Sequence, residues 1–364
     1  MSTSTTAKHA LYTALAFAER AVRSPLPATP SSLRNFLLLQ YPDALGNAIH
    51  STPVVAALRA AVPQARIAVA AGGYAADAFR NNPAVDLLLE TPKPKHDFNV
   101  ALRALRSRNL FGGEPYATLT TTGNERTAIG LLALGAGPSL RVGFTVAPEL
   151  FHIPLQMDLT RSQIENSLRT VQALGHAAPP TEPQIFSSPA DEAQAEALLA
   201  ETGMLDGAPI AIFVTQTSPT QRKSWRAERF AAVAAHLQQR YGAHILFVGT
   251  AGESAAIDAI RAHAGFRSAS VAGRTSINVL AAIMRRARIG ISLDTGTLHI
   301  GRAAGLPTVI IAPAWSPVVE WLPVGNSRYR ILKNADMPSA PPGYIIDEVS
   351  IDEVISAADE LMAQ

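Results

Sequence analysis

Five short apolar runs, "FLLLQ", "RIAVAA", "DLLLE", "YATLTTT" and "RVGF", alternate with Ala/Leu-rich stretches of helical period through the first half of the chain. That alternation leaves few architectures open, because strands separated by helices assemble as a parallel sheet with helices on both faces. It halts at "ALGHAAPPTEPQIFSSPADEAQ", where Pro179, Pro180, Pro183 and Pro189 break both periods. A second series follows: "PIAIFVTQ", "AHILFVGT", "RSASVAG", "RIGISLD", "PTVIIAP" and "RYRILK", again separated by helical patterns. The expectation is an α/β fold of two Rossmann-like, doubly wound domains, at residues 31–178 and 205–345, facing across a cleft. Residues 1–30 read as a helical extension, 179–204 as a linker and 346–364 as a final helix free to cross back. The two halves share an architecture and no sequence period.

The chain has 364 residues, 48% of them hydrophobic, enough for two sizeable cores. A net charge of +2 is too slight a basic excess to specify nucleic acid. The absence of Cys excludes disulfides, thiolate catalysis and Cys-ligated metals, and suits a reducing cytoplasm. Nine His are scattered without clustered ligand spacing, so no metal site is expected. No stretch approaches the roughly 18 consecutive apolar residues of a spanning helix, which makes the protein soluble or peripheral. The first thirty residues lack the basic-then-apolar build of a signal peptide. Leu11, Leu15, Phe17 and Ala21 fall broadly on one side of a helix there, to pack on the body or to touch a membrane surface.

Loops at the carboxyl ends of parallel strands collect ligands. Three such loops of the second series carry suitable chemistry. In "RIGISLDTGTLHIG" a strand ends at Asp294, and Thr295 and Gly296 open a helix whose free first-turn amides and positive dipole end suit a phosphate. Thr297 adds a hydroxyl and His299 falls one turn further in; Asp294 either caps that helix or accepts from a ligand. In "VTQTSPTQRKSWRAERF", Thr217, Ser218 and Thr220 precede Lys223, a point charge for a leaving diphosphate, while Trp225 reads as packing. In "ILFVGTAGESAAI", Glu253 follows Gly249 and Gly252, placed either for a ribose or as a first-turn acid favoured by the dipole. Together these loops assign the second domain to a nucleotide-diphosphate ligand and leave the first to an acceptor. No G-x-G-x-x-G follows any strand, which disfavours a classical dehydrogenase.

From about Leu33 to Lys333 the chain resembles the ADP-heptose:lipopolysaccharide heptosyltransferase family, glycosyltransferases of the GT-B fold. The resemblance rests on "LGNAIHSTPVVAALRAAVPQARIAVAA", "NERTAIGLLALGAGPSLRVGF", "RKSWRAERF", "FVGTAGE", "WLPVG" and, most specifically, the D-T-G-x-x-H segment with its preceding "VAGRTSINVLAAIMRRA". It implies donor contacts at Lys223, Glu253, Asp294, Thr295, Gly296 and His299, and Thr217, Ser218, Thr220 and Thr275 complete the candidate donor-binding set. It further implies ADP-heptose as donor, a glycolipid or saccharide acceptor of the cell envelope, inversion at the anomeric carbon, and no obligatory metal or other cofactor. A cytoplasmic location, peripheral to the inner membrane, follows from the same likeness.

The family's first loop ends in Gly-Asp, the Asp resembling a general base, whereas "YPDALGNAIH" carries Gly46-Asn47. An amide orients a hydroxyl but does not take its proton. Asp43 in the same loop is the first substitute, giving Asp43, Asn47 and Lys223 as the catalytic set, and His50 is the second. The alternative is a protein of the same fold that binds nucleotide sugar without turning it over. On the acceptor side, Lys93, Lys95, Arg103, Arg106 and Arg108 surround Asp97, either a surface for an anionic glycolipid or a solvated helix face.

Overall fold

The computed structural model describes residues 3–22, 29–217, 222–263 and 265–364. They form two compact units that divide between Pro183 and Gln184. In the first, α1 (Thr3–Val22) precedes β1 (Asn35–Gln40), α2 (Leu45–His50), α3 (Thr52–Ala61), β2 (Arg66–Ala71), α4 (Tyr74–Phe79) and β3 (Leu87–Glu90). Then come α5 (Phe98–Ser107), β4 (Ala117–Thr120), α6 (Thr127–Ala136), β5 (Leu140–Phe144), β6 (Ile153–Leu155) and α7 (Gln163–Gln172). The second unit begins with α8 (Pro189–Glu201), β7 (Ile210–Val214), α9 (Ala227–Tyr241), β8 (His244–Phe247), α10 (Ser254–Arg261) and β9 (Ser268–Ser270). It continues through α11 (Ile277–Arg285), β10 (Ile289–Leu293), α12 (Gly296–Ala303), β11 (Thr308–Ile311), α13 (Val318–Trp321), β12 (Tyr329–Leu332) and α14 (Ile351–Met362).

Both sheets are parallel, in the orders β3-β2-β1-β4-β5-β6 and β9-β8-β7-β10-β11-β12. Counted within its own unit, each is therefore 3-2-1-4-5-6, the doubly wound order. Strands β1, β7 and β10 are buried at every position, as central strands covered on both faces must be, which is why they read as mainly apolar runs. Leu37, Leu39, Ile129 and Leu132 pack in the first core, and Phe213, Phe230, Phe247 and Ile291 in the second. In this topology the strand order reverses between β1 and β4, and again between β7 and β10. Crevices open there at the carboxyl ends.

Three elements differ from the sequence expectation. Half of the 179–204 segment expected as linker is α8, which packs on α11 and buries Ala195, Leu198 and Leu199. Ser188 caps it by accepting from the Asp191 amide while Asp191 returns the bond, and Pro189 sits at the first helical position, where a missing N–H costs nothing. The final helix α14 stays with the second unit, its Val354, Ala357, Ala358 and Leu361 entering the core beside β10, β11 and β12. Edge strand β6 was not expected; it is three residues long and contains Pro154, which an edge tolerates.

The N-terminal extension is helical and is bound to the first unit. Fully buried Arg141 on β5 forms a two-pronged pair with Glu19 of α1, at 2.7 and 2.5 Å, and donates from Nε to the Leu150 carbonyl at 2.6 Å. Among the described residues no helix is long and apolar enough to cross a membrane. Removing one member of a buried pair strands the other charge, so Glu19→Ala is expected to destabilise the first unit by about 3–5 kcal/mol in chemical denaturation. A change within a few tenths of zero would mean that α1 does not depend on this pair.

Candidate functional site

Lys223, in the loop after β7, and Asp294, at the end of β10, meet across the second reversal point at 2.6 Å. Both are buried. Ser316, after β11, donates to the same Asp294 oxygen at 3.4 Å, and the Trp315 ring lies 5.2 Å from the Lys223 ammonium. Asp294 is thus spent on Lys223 and not on a helix cap. Thr295 is the N-cap residue of α12, and its side chain makes no capping bond, so the amides that open α12 are not covered by it. Thr295, Gly296 and Thr297 are all partly exposed. An ammonium beside an open helix N-terminus is an arrangement for an anion such as a diphosphate.

His299 lies one turn into α12, buried, with its ring 6.0 Å from that of Trp321. Burial drives its pKa down to about 4 against the pull of Asp294, so the imidazole is neutral at physiological pH. Glu253 closes a capping box with Thr250, accepting from its amide at 2.6 Å, and folds over Gly249, where an added Cβ would meet the carboxylate at 2.6 Å. The first-turn role expected of it is present. Gly273 brings the β9–α11 loop against this turn, its amide donating to the Gly249 carbonyl at 2.9 Å, which places partly buried Thr275 beside it on the same sheet edge. Thr217 follows β7 and is partly exposed. Ser218 and Thr220 lie outside the described residues. Trp225 packs, as expected: its indole donates to the Val349 carbonyl at 3.0 Å and its ring meets Phe230 edge-on.

At the reversal point of the first unit, Asp43 after β1 gathers three cations: Lys95 at 2.7 Å, Lys93 at 3.3 Å and Arg126 at 2.5 Å. The Lys95 hydrogen bond, with Lys93 and Arg126 behind it, holds the Asp43 carboxyl at about 2. The cluster remains half exposed and carries an excess of two positive charges. The remaining basic residues separate from it: Arg103, Arg106 and Arg108 stand exposed on and after α5, whose N-terminus Asp97 caps. Asn47 is buried on α2 and lies against Gly123, where an added Cβ would fall 2.6 Å from its amide carbon. Gly123 in turn donates its amide to Glu125 at 2.9 Å. His50 is wholly buried on α2, out of reach of a substrate hydroxyl.

Residues 155–339, about half of the chain, match the model of glycosyltransferase family 9 (heptosyltransferase). The chain belongs to this family. No curated protein matches it in sequence. Among solved structures it is similar to a family 9 glycosyl transferase from Veillonella parvula, with 20% identity over 93% of this chain and 99% of that one and a TM-score of 0.79. It is also similar to ADP-heptose lps heptosyltransferase II of E. coli, with 17% identity, 90% and 98% coverage and a TM-score of 0.73. The E. coli heptosyltransferase WaaC with ADP-2-deoxy-2-fluoro heptose follows, at 15% identity, 89% and 99% coverage and a TM-score of 0.66. The fold is of GT-B type, and this family 9 member is a glycosyltransferase.

Sequence reasoning missed Trp315, Ser316, Arg126 and Glu125. The first two follow the "PTVIIAP" strand after Ala314, where polar and aromatic residues at a strand's carboxyl end signal a site. Arg126 and Glu125 occupy the same position after β4.

Single replacements Lys223→Ala and Asp294→Ala should each cost about 3–5 kcal/mol of stability, and the paired Lys223→Met/Asp294→Leu variant much less than their sum, in a urea double-mutant cycle. Additive losses would contradict the coupling. A second prediction concerns acid. His299 falls from 6.5 to about 4 on folding, so the unfolded chain takes the proton first. Stability should therefore decline as pH falls from about 6.5 to about 4, by an amount on the order of 3 kcal/mol, and His299→Gln should flatten that limb. An unchanged slope in His299→Gln would assign it elsewhere.

Proposed function

We propose that this chain transfers a heptose from ADP-heptose to an anionic saccharide of the lipopolysaccharide core or a related envelope glycolipid, inverting the anomeric carbon, on the cytoplasmic side. The observation that carries the reading is the Lys223–Asp294 pair beside the open start of α12. The α12 amides and the Lys223 ammonium neutralise the diphosphate as it departs, charge that grows only as the glycosidic bond breaks. Glu253 and Thr275, on the adjoining loops, take the nucleoside end, with Thr217 leading in from β7. No metal is required where an ammonium and a helix dipole already meet the leaving group.

Lys93, Lys95 and Arg126 bind the acceptor's carboxylate or phosphate groups, with Asp43 as the counter-ion that holds them together. A carboxyl at about 2 is a weak proton acceptor at neutral pH, which moves the base away from Asp43. Glu125 is the carboxylate joined through Gly123 to the side chain of Asn47. It takes the acceptor proton while Asn47 orients the hydroxyl. A second reading, a nucleotide-sugar-binding protein without turnover, is favoured by the amide at Asn47 alone.

Calorimetric titration with ADP-heptose, ADP and UDP-sugars, followed by donor turnover, separates these readings. ADP-heptose should bind in preference to UDP-sugars, and Glu125→Gln should lower turnover by about 10²-fold or more at unchanged donor affinity. Turnover lost instead in Asp43→Ala with donor affinity intact, and kept in Glu125→Gln, would return the base to Asp43. Binding without turnover, with activity appearing in Asn47→Asp, would establish the second reading; no nucleotide binding would remove the donor site.

A further inference from the structure

We infer that the outward face of α1 is a contact surface for an anionic lipid membrane. The inference rests on the first unit alone and is independent of which sugar is transferred.

Among its described side chains, helix α1 is held along one face. His9 pairs with Glu149, Tyr12 packs on Ala147, Leu150 and Phe151, Ala16 is buried, and Glu19 grips Arg141. The spacing of three, four and three residues places all of these on one stripe. The other side carries Leu11, Leu15 and Phe17, exposed by 56%, 38% and 73%, with exposed Ala10, Ala14 and Ala18 between them. A helix on the surface of a water-soluble domain places charge there. From Ala10 to Ala18 this helix offers one exposed polar side chain, Thr13. Among the described residues, three of the eight exposed large apolar side chains thus fall within seven residues of this one helix, which scattered surface exposure does not produce.

The charge of the unit selects the occupant. Residues 1–183 hold 16 Lys and Arg against 12 Asp and Glu, a net +4, whereas residues 184–364 hold 15 against 17, a net −2. The whole basic excess of the chain lies in the unit that bears the apolar face. The acid of α1, Glu19, is already neutralised by Arg141. An apolar helix face on a basic body is the combination that lies flat in the headgroup region of anionic lipid. A second copy of the same face would bring two bodies of +4 together, which like-charge repulsion opposes. The ion pair to Arg141 gives the helix its direction, so that binding lipid requires no rearrangement of α1.

Sedimentation of the full chain with phosphatidylglycerol/phosphatidylcholine vesicles, and with phosphatidylcholine alone, tests this. The wild type should partition to the anionic vesicles, less so at high salt, and the Leu11→Ser/Leu15→Ser/Phe17→Ser variant should partition at least about tenfold more weakly. A second measurement covers misfolding of that variant: tryptophan emission of Leu15→Trp should shift to the blue on adding anionic vesicles and be quenched by brominated lipid. Equal partitioning of the serine variant, a wild type that stays in the supernatant, or an unshifted Leu15→Trp emission would overturn the inference. So would a wild-type dimer in size-exclusion that the serine variant reduces to monomer, which would make a second copy the occupant.

Discussion

A buried ion pair at the reversal point of the second sheet organises what surrounds it. Lys223 and Asp294 belong to loops after neighbouring strands and are 71 residues apart in the chain. Burying both charges is costly unless they meet closely and find further partners, and here Ser316 and the Trp315 ring supply them. The pair fixes the ammonium before any ligand arrives. It also removes Asp294 from the start of α12, leaving a helix terminus whose positive end faces outward uncapped by its own side chains. Preorganised charge of this kind does not have to be assembled during the reaction.

The first unit uses the same topology with the opposite electrostatic balance. Its loops after β1, β3 and β4 bring one carboxylate and three cations together, where the second unit pairs one with one. A closed pair is neutral overall and directs its helix and its ammonium at a partner. An open cluster with two charges in excess is a general attractor for anions, and its half-exposed position lets it exchange water for them. Two copies of one strand order thus offer two kinds of electrostatic site, through loop residues alone.

Central strands were legible in the sequence because burial on both faces favours apolar residues along them, and among the described residues the expected runs account for eleven of the twelve strands, all but β6. Helix α8 was hidden because proline was read as a breaker at Pro189, although at a first helical position behind a Ser cap it favours the helix. The individual loop residues were legible too, since strand ends in such a sheet are where ligands gather. Their partnerships were not. Nothing in the order of residues says that Asp43 would be claimed by Lys95 rather than left to act alone, or that Asp294 would choose Lys223 over its own helix, because those choices depend on the positions of loops that only the folded sheets bring together.

Gly123 has a consequence for the history of such a site. With φ at +82° it allows the side chain of Asn47 to lie directly over its backbone, a fit made by shape, while the Glu125 carboxylate on the same glycine's amide is the charge that tells an acid from an amide. Asn and Asp differ there by one terminal atom and fill the same volume. Either residue therefore fits the loop by volume, and exchanging them adds or withdraws a proton acceptor, an acid there having to be buried close to Glu125. In a scaffold of this kind, chemistry can be gained or lost by one substitution that leaves the packing volume in place.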